Sequence, residues 1–283
     1  MTSWLSKSTF KPIPKKDSFM FETTATGFCS QFNNYLYATL YAKSYNTRLY
    51  VNDTTNAVSV RYPLIQNTFQ PVPDISDVQF TSSQILTATT LKNRVIPMRE
   101  FLAKVSVITL RATAANTLTW KTSLLETIQP FVSEITADID VGVHIRGGDK
   151  VITGEMKTIP IEQYLQQVTQ YQKKTKKEKL NVFLMSDSPE RIKEFTSKKH
   201  ASWTIHTLRA PLFMGGHKQL DFNAAPNRLR MDSYLYFMAE LYIMQQVPHV
   251  VCTFSSHVGR FLFLTITDDT TIVSIDDAKF VAF

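Results

Sequence analysis

This sequence has few of the features that mark secreted or membrane-embedded proteins. It holds only two cysteines, Cys29 and Cys252, so we expect free thiols in a reducing compartment rather than a disulfide framework. No CxxC motif and no Cys/His spacing indicates a zinc site. No apolar run reaches the roughly 18 residues of a membrane span, and the first residues lack the apolar core of a signal peptide. We therefore expect a soluble, cytoplasmic protein with no membrane span.

The chain is moderately basic, with a net charge of +7. This charge is compatible with nucleic acid, an anionic surface or a small anionic substrate such as a nucleotide sugar, and it separates none of these. Part of it lies in the lysine run of residues 173–179, between a predicted helix and a predicted strand, which we interpret as a solvated connection. The length of 283 residues predicts two domains of about 140 residues each.

Strands and helices alternate in the second half of the chain. The sequence VGVHIRGGDK at residues 141–150 predicts a buried strand that ends at two glycines. Further strands are predicted at residues 180–185, 203–207, 249–254 and 271–275, with a long helix from Arg228 to Gln246. This order predicts a Rossmann-like half that begins near residue 138.

The first half is less regular. Residues 35–42 are apolar enough for a buried helix, and residues 48–53 predict a strand. A helical stretch is predicted from Arg99 to about Val107. Residues 117–136 predict another helix, which Pro130 would kink or divide.

Polar side chains follow three of the predicted strands in the second half. His144 and Arg146 end the first, with Lys150 on the loop beyond it. Ser186 and Asp187 end the second. The third runs into Thr253, Ser255 and Ser256. In a doubly wound sheet these strand ends converge on one crevice, where ligands bind.

The third strand end has a physical preference for anions. A buried strand that leads into Ser255-Ser256 at a helix start presents free backbone N–H groups, hydroxyls and the positive end of the helix dipole. Such a site binds phosphate, although an ordinary serine cap gives the same pattern. Arg146 adds a possible bidentate phosphate contact. The Asp138-Ile139-Asp140 pair lies at the amino end of its strand, which is the wrong end for a metal site.

Three blocks of this sequence resemble, in the same order, the α1,6-fucosyltransferase family, which is related to the rhizobial nodulation fucosyltransferases and the protein O-fucosyltransferases. VHIRGGDK at 143–150 is similar to the family's His-x-Arg-Arg-x-Asp-Lys motif, and VFLMSDSP at 182–189 to its Leu-Ala-Thr-Asp-Asp-Pro block. VCTFSSHVGR at 251–260 is similar to its Cys-Thr-Phe-Ser-Ser-x-Val-x-Arg block, the most specific of the three. The resemblance covers residues 138–266.

The resemblance implies an α/β fold of the GT-B kind, with two Rossmann-like domains that face each other across a nucleotide-sugar cleft. Residues 1–136 would form the acceptor side and residues 137–283 the domain that binds the GDP-sugar. The implied activity is an inverting, metal-independent transfer of fucose from GDP-fucose to a glycan hydroxyl. The implied partners are GDP-fucose and a glycan acceptor, with no nucleic acid and no cofactor.

The resemblance also implies roles for single residues. Arg146 and Ser256 would hold the β-phosphate, His144 would lie against the nucleotide, and Asp187 matches a carboxylate of the second block. Glu240 stands 12 residues before Cys252, where the family has an aspartate that contacts guanine. Thr253 and Ser255 are candidate donor-binding residues because they follow the same strand as Ser256. The pair implied to activate the acceptor hydroxyl is Lys150 and Glu155.

Two departures leave alternatives open. Gly147 replaces the second arginine of the first motif and removes a positive charge, and Ser188 replaces the second aspartate of the second block. A GT-B transferase of α1,2-like linkage or with another donor is one alternative. A non-catalytic protein that binds sugar or nucleic acid is the other, since the chain is basic and lacks that arginine.

Overall fold

The structure is a computed structural model, and it describes residues 18–53, 58, 63–70, 85–87, 101–148, 158–208, 218–276 and 280. The chain divides into two compact units. Unit 1 comprises Met1–Lys121 with Ala282–Phe283, and unit 2 comprises Thr122–Val281. None of the described helices is both long and apolar enough to cross a membrane.

Unit 1 is built on a parallel three-stranded sheet in the order β2-β1-β4. Helix α1 connects β1 to β2, and its buried aromatic side chains pack on the sheet, as in the tilted ring contact of Tyr35 with Phe21. Two short strands, β3 and β5, pair antiparallel beside it. The elements of unit 1 are β1 (Ser18–Glu22), α1 (Phe28–Ser44), β2 (Arg48–Asn52), α2 (Leu64–Thr68), β3 (Phe69–Gln70), β4 (Ile85–Thr87), α3 (Val107–Thr117) and β5 (Thr119–Trp120).

Unit 2 is built on a five-stranded sheet in the order β10-β9-β6-β7-β8, in which every pairing is parallel. Parallel strands need crossover connections, and helices supply them here. The elements of unit 2 are α4 (Thr122–Val132), β6 (Val141–Ile145), α5 (Ile161–Thr175), β7 (Leu180–Ser186), α6 (Pro189–Lys198), β8 (Trp203–His206), α7 (Gln219–Ala224), α8 (Asn227–Gln246), β9 (His249–Cys252), α9 (His257–Thr265) and β10 (Thr271–Ser274).

The central strand β6 is buried along its whole length, because helices cover both faces of the sheet. Val141, Val143 and Ile145 point to one face and pack with Tyr164 and Val168 of α5. Gly142 points to the other face, where a Cβ atom would lie 2.6 Å from the Met244 sulfur on α8. The glycine lets this helix approach the strand closely.

The predicted elements of the second half are confirmed, with boundaries that shift by a few residues. Ser188 caps helix α6 by accepting a hydrogen bond from Arg191 N at 3.3 Å. The helix predicted at 117–136 is shorter and begins at Thr122, because Thr119–Trp120 pairs as a strand with β3. Pro130 lies inside this helix, near its end, and does not divide it.

Candidate nucleotide-sugar site in the second unit

The order of the strands in unit 2 marks the place where a ligand would bind. The chain runs outward from β6 to β7 and β8 on one side, then returns to the other side of β6 with β9 and β10. Helix α5 packs on the face of Val143 and Val251, whereas α9 approaches the other face at Cys252. The helices that follow β6 and β9 therefore lie on opposite faces of the sheet, and the two strand ends face a common carboxyl edge. A crevice at such a switch point is the usual ligand site of a doubly wound sheet.

Arg146 leaves β6 at this edge and is held by Asp187, which follows β7. The guanidinium forms an ion pair with one carboxylate oxygen of Asp187, and Gly147 N donates to the other oxygen at 2.6 Å. The two side chains are 17% and 14% exposed, so water screens this pair only in part. The structure thus brings together two residues that the sequence predicted separately, and it orients Arg146 through Asp187.

His144 is buried at the end of β6, and its Nδ1 atom has no hydrogen-bond partner among the described residues. Burial, helped by the positive charge of Arg146, lowers the pKa of His144 from 6.5 to about 3. The imidazole is therefore neutral at physiological pH and keeps an unused polar atom. Thr253, at the end of β9, resembles it, because its Oγ1 is also buried and unpartnered within the described part of the chain.

Glu240 lies on α8, one helical turn before Met244, whose sulfur packs against Gly142. Residues four apart share a helix face, so Glu240 lies on the same side of β6 as Met244. Burial raises the pKa of Glu240 from 4.5 to about 8, and the negative charge of Asp187 adds to this effect. A large share of Glu240 is therefore protonated at neutral pH.

The turn after β9 leads into α9, as the sequence predicts. Ser256 is the N-cap residue, and its Oγ accepts a hydrogen bond from Val258 N at 3.2 Å. Ser255 faces a different partner, because both its amide and its hydroxyl donate to the carboxylate of Asp276. Of the two serines, Ser256 caps the helix and can still donate its hydroxyl proton to a ligand, whereas the Ser255 hydroxyl is already engaged.

Asp276 is a residue that the sequence reasoning did not identify. It lies two residues beyond β10 and accepts hydrogen bonds from Phe254 N at 2.8 Å and Ser274 Oγ at 2.6 Å, in addition to those from Ser255. The signal was present, because Asp276 is the polar residue that follows the last predicted strand. The same rule had identified Arg146 and Asp187 at the ends of other strands.

Gly147, which replaces the second arginine of the family motif, lies where a larger side chain would clash with its neighbours. A Cβ atom at this position would lie 2.5 Å from the Cβ of Ser188 and 3.1 Å from the Cγ of Arg191. No side chain fits there unless Ser188 moves. The two departures from the family pattern, Gly147 and Ser188, are therefore in contact with each other.

Other predicted residues cannot be placed in this site. Lys150 and Glu155 lie outside the described residues, so their roles stay predictions. Asp140 lies at the amino edge of the sheet, where it accepts a hydrogen bond from Asn181 N at 2.7 Å and pairs with Lys177. Across the part of the chain that the structure describes, no group of three or more His, Cys, Asp or Glu side chains is arranged to hold a metal ion.

The topology of unit 2 and its polar strand ends define a doubly wound α/β unit with a ligand crevice at its switch point. Residues 118–278, which are more than half of the chain, match the family described as alpha-(1,6)-fucosyltransferase N- and catalytic domains. This chain belongs to that family. The resemblance stated from the three sequence blocks is thereby confirmed.

Solved structures show the same fold at low sequence identity. The fucosyltransferase NodZ from Bradyrhizobium is 15% identical, with a TM-score of 0.57 over 92% of this chain and 96% of that one. POFUT1 in complex with GDP is 12% identical, with a TM-score of 0.52 over 92% of this chain and 99% of the other. These similarities confirm the predicted GT-B-like α/β class.

Proposed function

We propose that this protein transfers fucose from GDP-fucose to a glycan hydroxyl, with inversion at the sugar and without a metal ion. The observation that carries the proposal is the switch point between β6 and β9, which lies inside the family match and presents Arg146 and Ser256. NodZ has been soaked with GDP-fucose, and POFUT1 has been crystallised with it. We take the same donor for this chain.

The described residues fit both the diphosphate and the nucleoside of GDP-fucose. Arg146, oriented by Asp187, and the hydroxyl of Ser256 at the start of α9 bind the β-phosphate. The nucleoside end lies toward α8, where His144 and Glu240 contact it. An ionised Glu240 accepts hydrogen bonds from the two adjacent N–H groups of guanine.

The reaction is a single in-line displacement. The acceptor oxygen forms a bond to the anomeric carbon of fucose while the bond from that carbon to the phosphate oxygen breaks, and GDP leaves with the electron pair. A β-linked donor then gives an α-linked product. Arg146 and the helix start stabilise the charge that develops on the diphosphate. Glu155 takes the acceptor proton, assisted by Lys150.

Metal independence is supported by the state of the Asp138-Ile139-Asp140 pair. Asp140 is already bonded to Lys177 and to Asn181 N, and both contacts lie at the amino edge of the sheet. The charge on the leaving group is instead balanced by Arg146 and the dipole of α9. We expect the rate of transfer to be the same with and without a chelator.

The test uses the purified full chain with a panel of GDP- and UDP-sugars. We expect thermal stabilisation by GDP and not by UDP, together with release of GDP from GDP-fucose. Arg146→Ala should lower the rate about 100-fold or more, because a preorganised charge on the leaving group is lost.

The matched control is Lys198→Ala, since this lysine pairs only on the exposed surface with Glu162 and Glu194. Its rate should equal that of the parent. Stabilisation by UDP instead of GDP would point to another donor, and binding of GDP without turnover would point to a non-catalytic protein. An Arg146→Ala variant as fast as the parent would remove the role given to that residue.

A further inference from the structure

The carboxylate of Asp276 accepts four hydrogen bonds from the described residues around the turn that follows β9. Phe254 N donates at 2.8 Å, Ser255 N at 3.1 Å and Ser274 Oγ at 2.6 Å, and the Ser255 hydroxyl supplies the fourth. Two consecutive amides of the turn therefore point at one carboxylate. This contact joins the end of β10 to the loop that carries the proposed phosphate ligand.

We propose that Asp276 is a positioning residue for the donor phosphate, which acts by fixing the turn 253–256 and so aims Ser256 and the start of α9 at the diphosphate. This inference rests on the proposed function. Asp276 itself is assigned no contact with the donor. Its effect passes through the backbone of Phe254 and Ser255.

On the side that faces α9, the same turn is held by contacts that do not involve Asp276. A Cβ atom on Gly259 would lie 2.1 Å from the Thr253 carbonyl oxygen, so α9 lies directly against the backbone of the turn. Arg260 Nε donates to the Phe254 carbonyl at 2.7 Å, and Ser256 N donates to the Thr253 carbonyl at 3.3 Å. Asp276 supplies the fixation on the other side, where it accepts from the amides of Phe254 and Ser255. The Phe254 amide also donates to Ser274 Oγ at 2.9 Å, so Ser274 and Asp276 hold this amide together.

Asp276 is a negative charge close to the proposed phosphate site. The direction in which GDP affinity changes when this charge is removed therefore tests the inference. Burial alone would raise the pKa of Asp276, but the hydrogen bonds from Ser255, Ser274 and Phe254 N outweigh it, so the pKa is lowered and the group stays ionised. If its charge mattered most, removal of the charge would tighten GDP binding. If its geometry matters most, the same change weakens GDP binding, because an asparagine amide nitrogen cannot accept from Ser255 N.

The experiment compares Asp276→Asn and Asp276→Ala with the parent by calorimetric GDP binding and by kcat and KM for release of GDP. The matched control is Asp140→Ala, which removes another aspartate of the same sheet that accepts a backbone N–H, at 2.7 Å from Asn181 N. We expect substitutions at both positions to lower the melting temperature of the protein. Only the Asp276 variants should weaken GDP binding, by about tenfold, with a fall in kcat as well.

Ser274→Ala serves as a milder variant if Asp276→Ala does not fold. It removes one donor to Asp276 and the second acceptor of Phe254 N, at 2.9 Å, but leaves the carboxylate in place. We expect it to weaken GDP binding less than Asp276→Asn does. Tighter or unchanged GDP binding in Asp276→Asn, with kcat equal to that of the parent, would overturn the inference. So would an equal loss of GDP binding in Asp140→Ala, because the effect would then be one of general stability.

The two proposals fail in different ways. If the parent protein neither binds GDP nor releases it from GDP-fucose, the proposed function is wrong and the role of Asp276 falls with it. If the parent binds and turns over the donor while the Asp276 variants match it, only the positioning role is overturned.

Discussion

Glu240 is the residue whose charge state links the site to pH. Its side chain is half-buried on α8, and this burial, helped by the negative charge of Asp187, raises its pKa from 4.5 to about 8. The free protein therefore holds a proton that guanine recognition has to displace, because a carboxylate accepts from two N–H groups better than a carboxylic acid does. In the proposed function, binding of GDP is therefore coupled to release of a proton at this side chain.

We predict that GDP affinity rises with pH up to about pH 8 and then levels off, with a slope approaching about tenfold per pH unit on the acidic side. Working above about pH 7 keeps the ionisation of the diphosphate itself constant. Calorimetry in two buffers of different ionisation enthalpy measures the proton released. Glu240→Gln should bind GDP more weakly and with no such pH dependence, and a parent affinity that is flat across this range would contradict the assignment.

The same carboxyl group affects folding with the opposite sign. Since its folded pKa of about 8 lies above the usual 4.5, the folded state binds more protons than the unfolded state between these values. Its contribution to stability is fully present below about pH 4.5 and is lost as the pH rises through about 8. Glu240→Gln should remove this part of the pH dependence of the unfolding free energy, measured by denaturant titration.

Gly147 and Ser188 make a pair whose coupling can be measured. Gly147→Ala should destabilise the protein by about 1–3 kcal/mol, because the new methyl group overlaps Ser188. Ser188→Gly alone should cost only a few tenths of a kcal/mol, about the penalty for glycine at a helix cap. Denaturant titration of the double variant should then show less destabilisation than the sum of the two. Strict additivity would mean that the two positions do not meet in solution.

The position of helix α9 determines whether the turn 253–256, which we call the serine turn, can contact a phosphate. Gly259 allows its first turn to lie against the Thr253 carbonyl, and Ser256 caps it. Gly259→Ala meets backbone rather than a flexible side chain, so the helix itself has to move. We expect a loss of stability of about 2 kcal/mol or more, together with a clear loss of GDP affinity.

Gly142→Ala is the matched control for that change. Its added methyl group would meet the sulfur of Met244, which is the flexible end of a side chain, at 2.6 Å. We expect a smaller loss of stability in the melting curve, and a smaller loss of GDP affinity than in Gly259→Ala, because the end of the Met244 side chain can rotate away. If Gly259→Ala keeps the full affinity for GDP, α9 does not contribute to the nucleotide site.

Elements with strong local signals could be predicted from the sequence, whereas those set by partners could not. The strand at residues 141–145 has alternating apolar residues and a glycine stop, and helix α6 has Ser188 and Pro189 at its start. Helix α3 was missed, because its Thr/Ala-rich sequence has little apolar periodicity. The strand Thr119–Trp120 exists only because β3 pairs with it. Its sequence alone favoured a helix.

The site shows the same limit. Arg146 and Asp187 were both predicted as site residues, but the ion pair between them depends on β6 and β7 being neighbours in the sheet. Asp276 reaches the serine turn because β10 pairs with β9. Such contacts follow from strand order, which a single sequence does not state. The three sequence blocks that resemble the family are continuous in the chain, and for that reason the resemblance could be recognised before the geometry.

For the molecule as a whole, the proposed donor site lies entirely within unit 2, whereas the acceptor role of residues 1–136 stays a prediction. Hydrogen exchange of the intact chain, with and without GDP, tests this division. We expect added protection at residues 144–148 and 253–259, where the strand ends and the start of α9 meet the nucleotide.

Helix α1 of unit 1 provides the internal comparison. Its N-cap residue, Gly27, makes no side-chain hydrogen bond to the helix. Protection confined to unit 1 would place the nucleotide elsewhere and remove the basis for the roles of Arg146 and Ser256. Protection in unit 2 that disappears in Arg146→Ala, while α1 keeps the same exchange rate in both proteins, would tie the nucleotide to the end of β6.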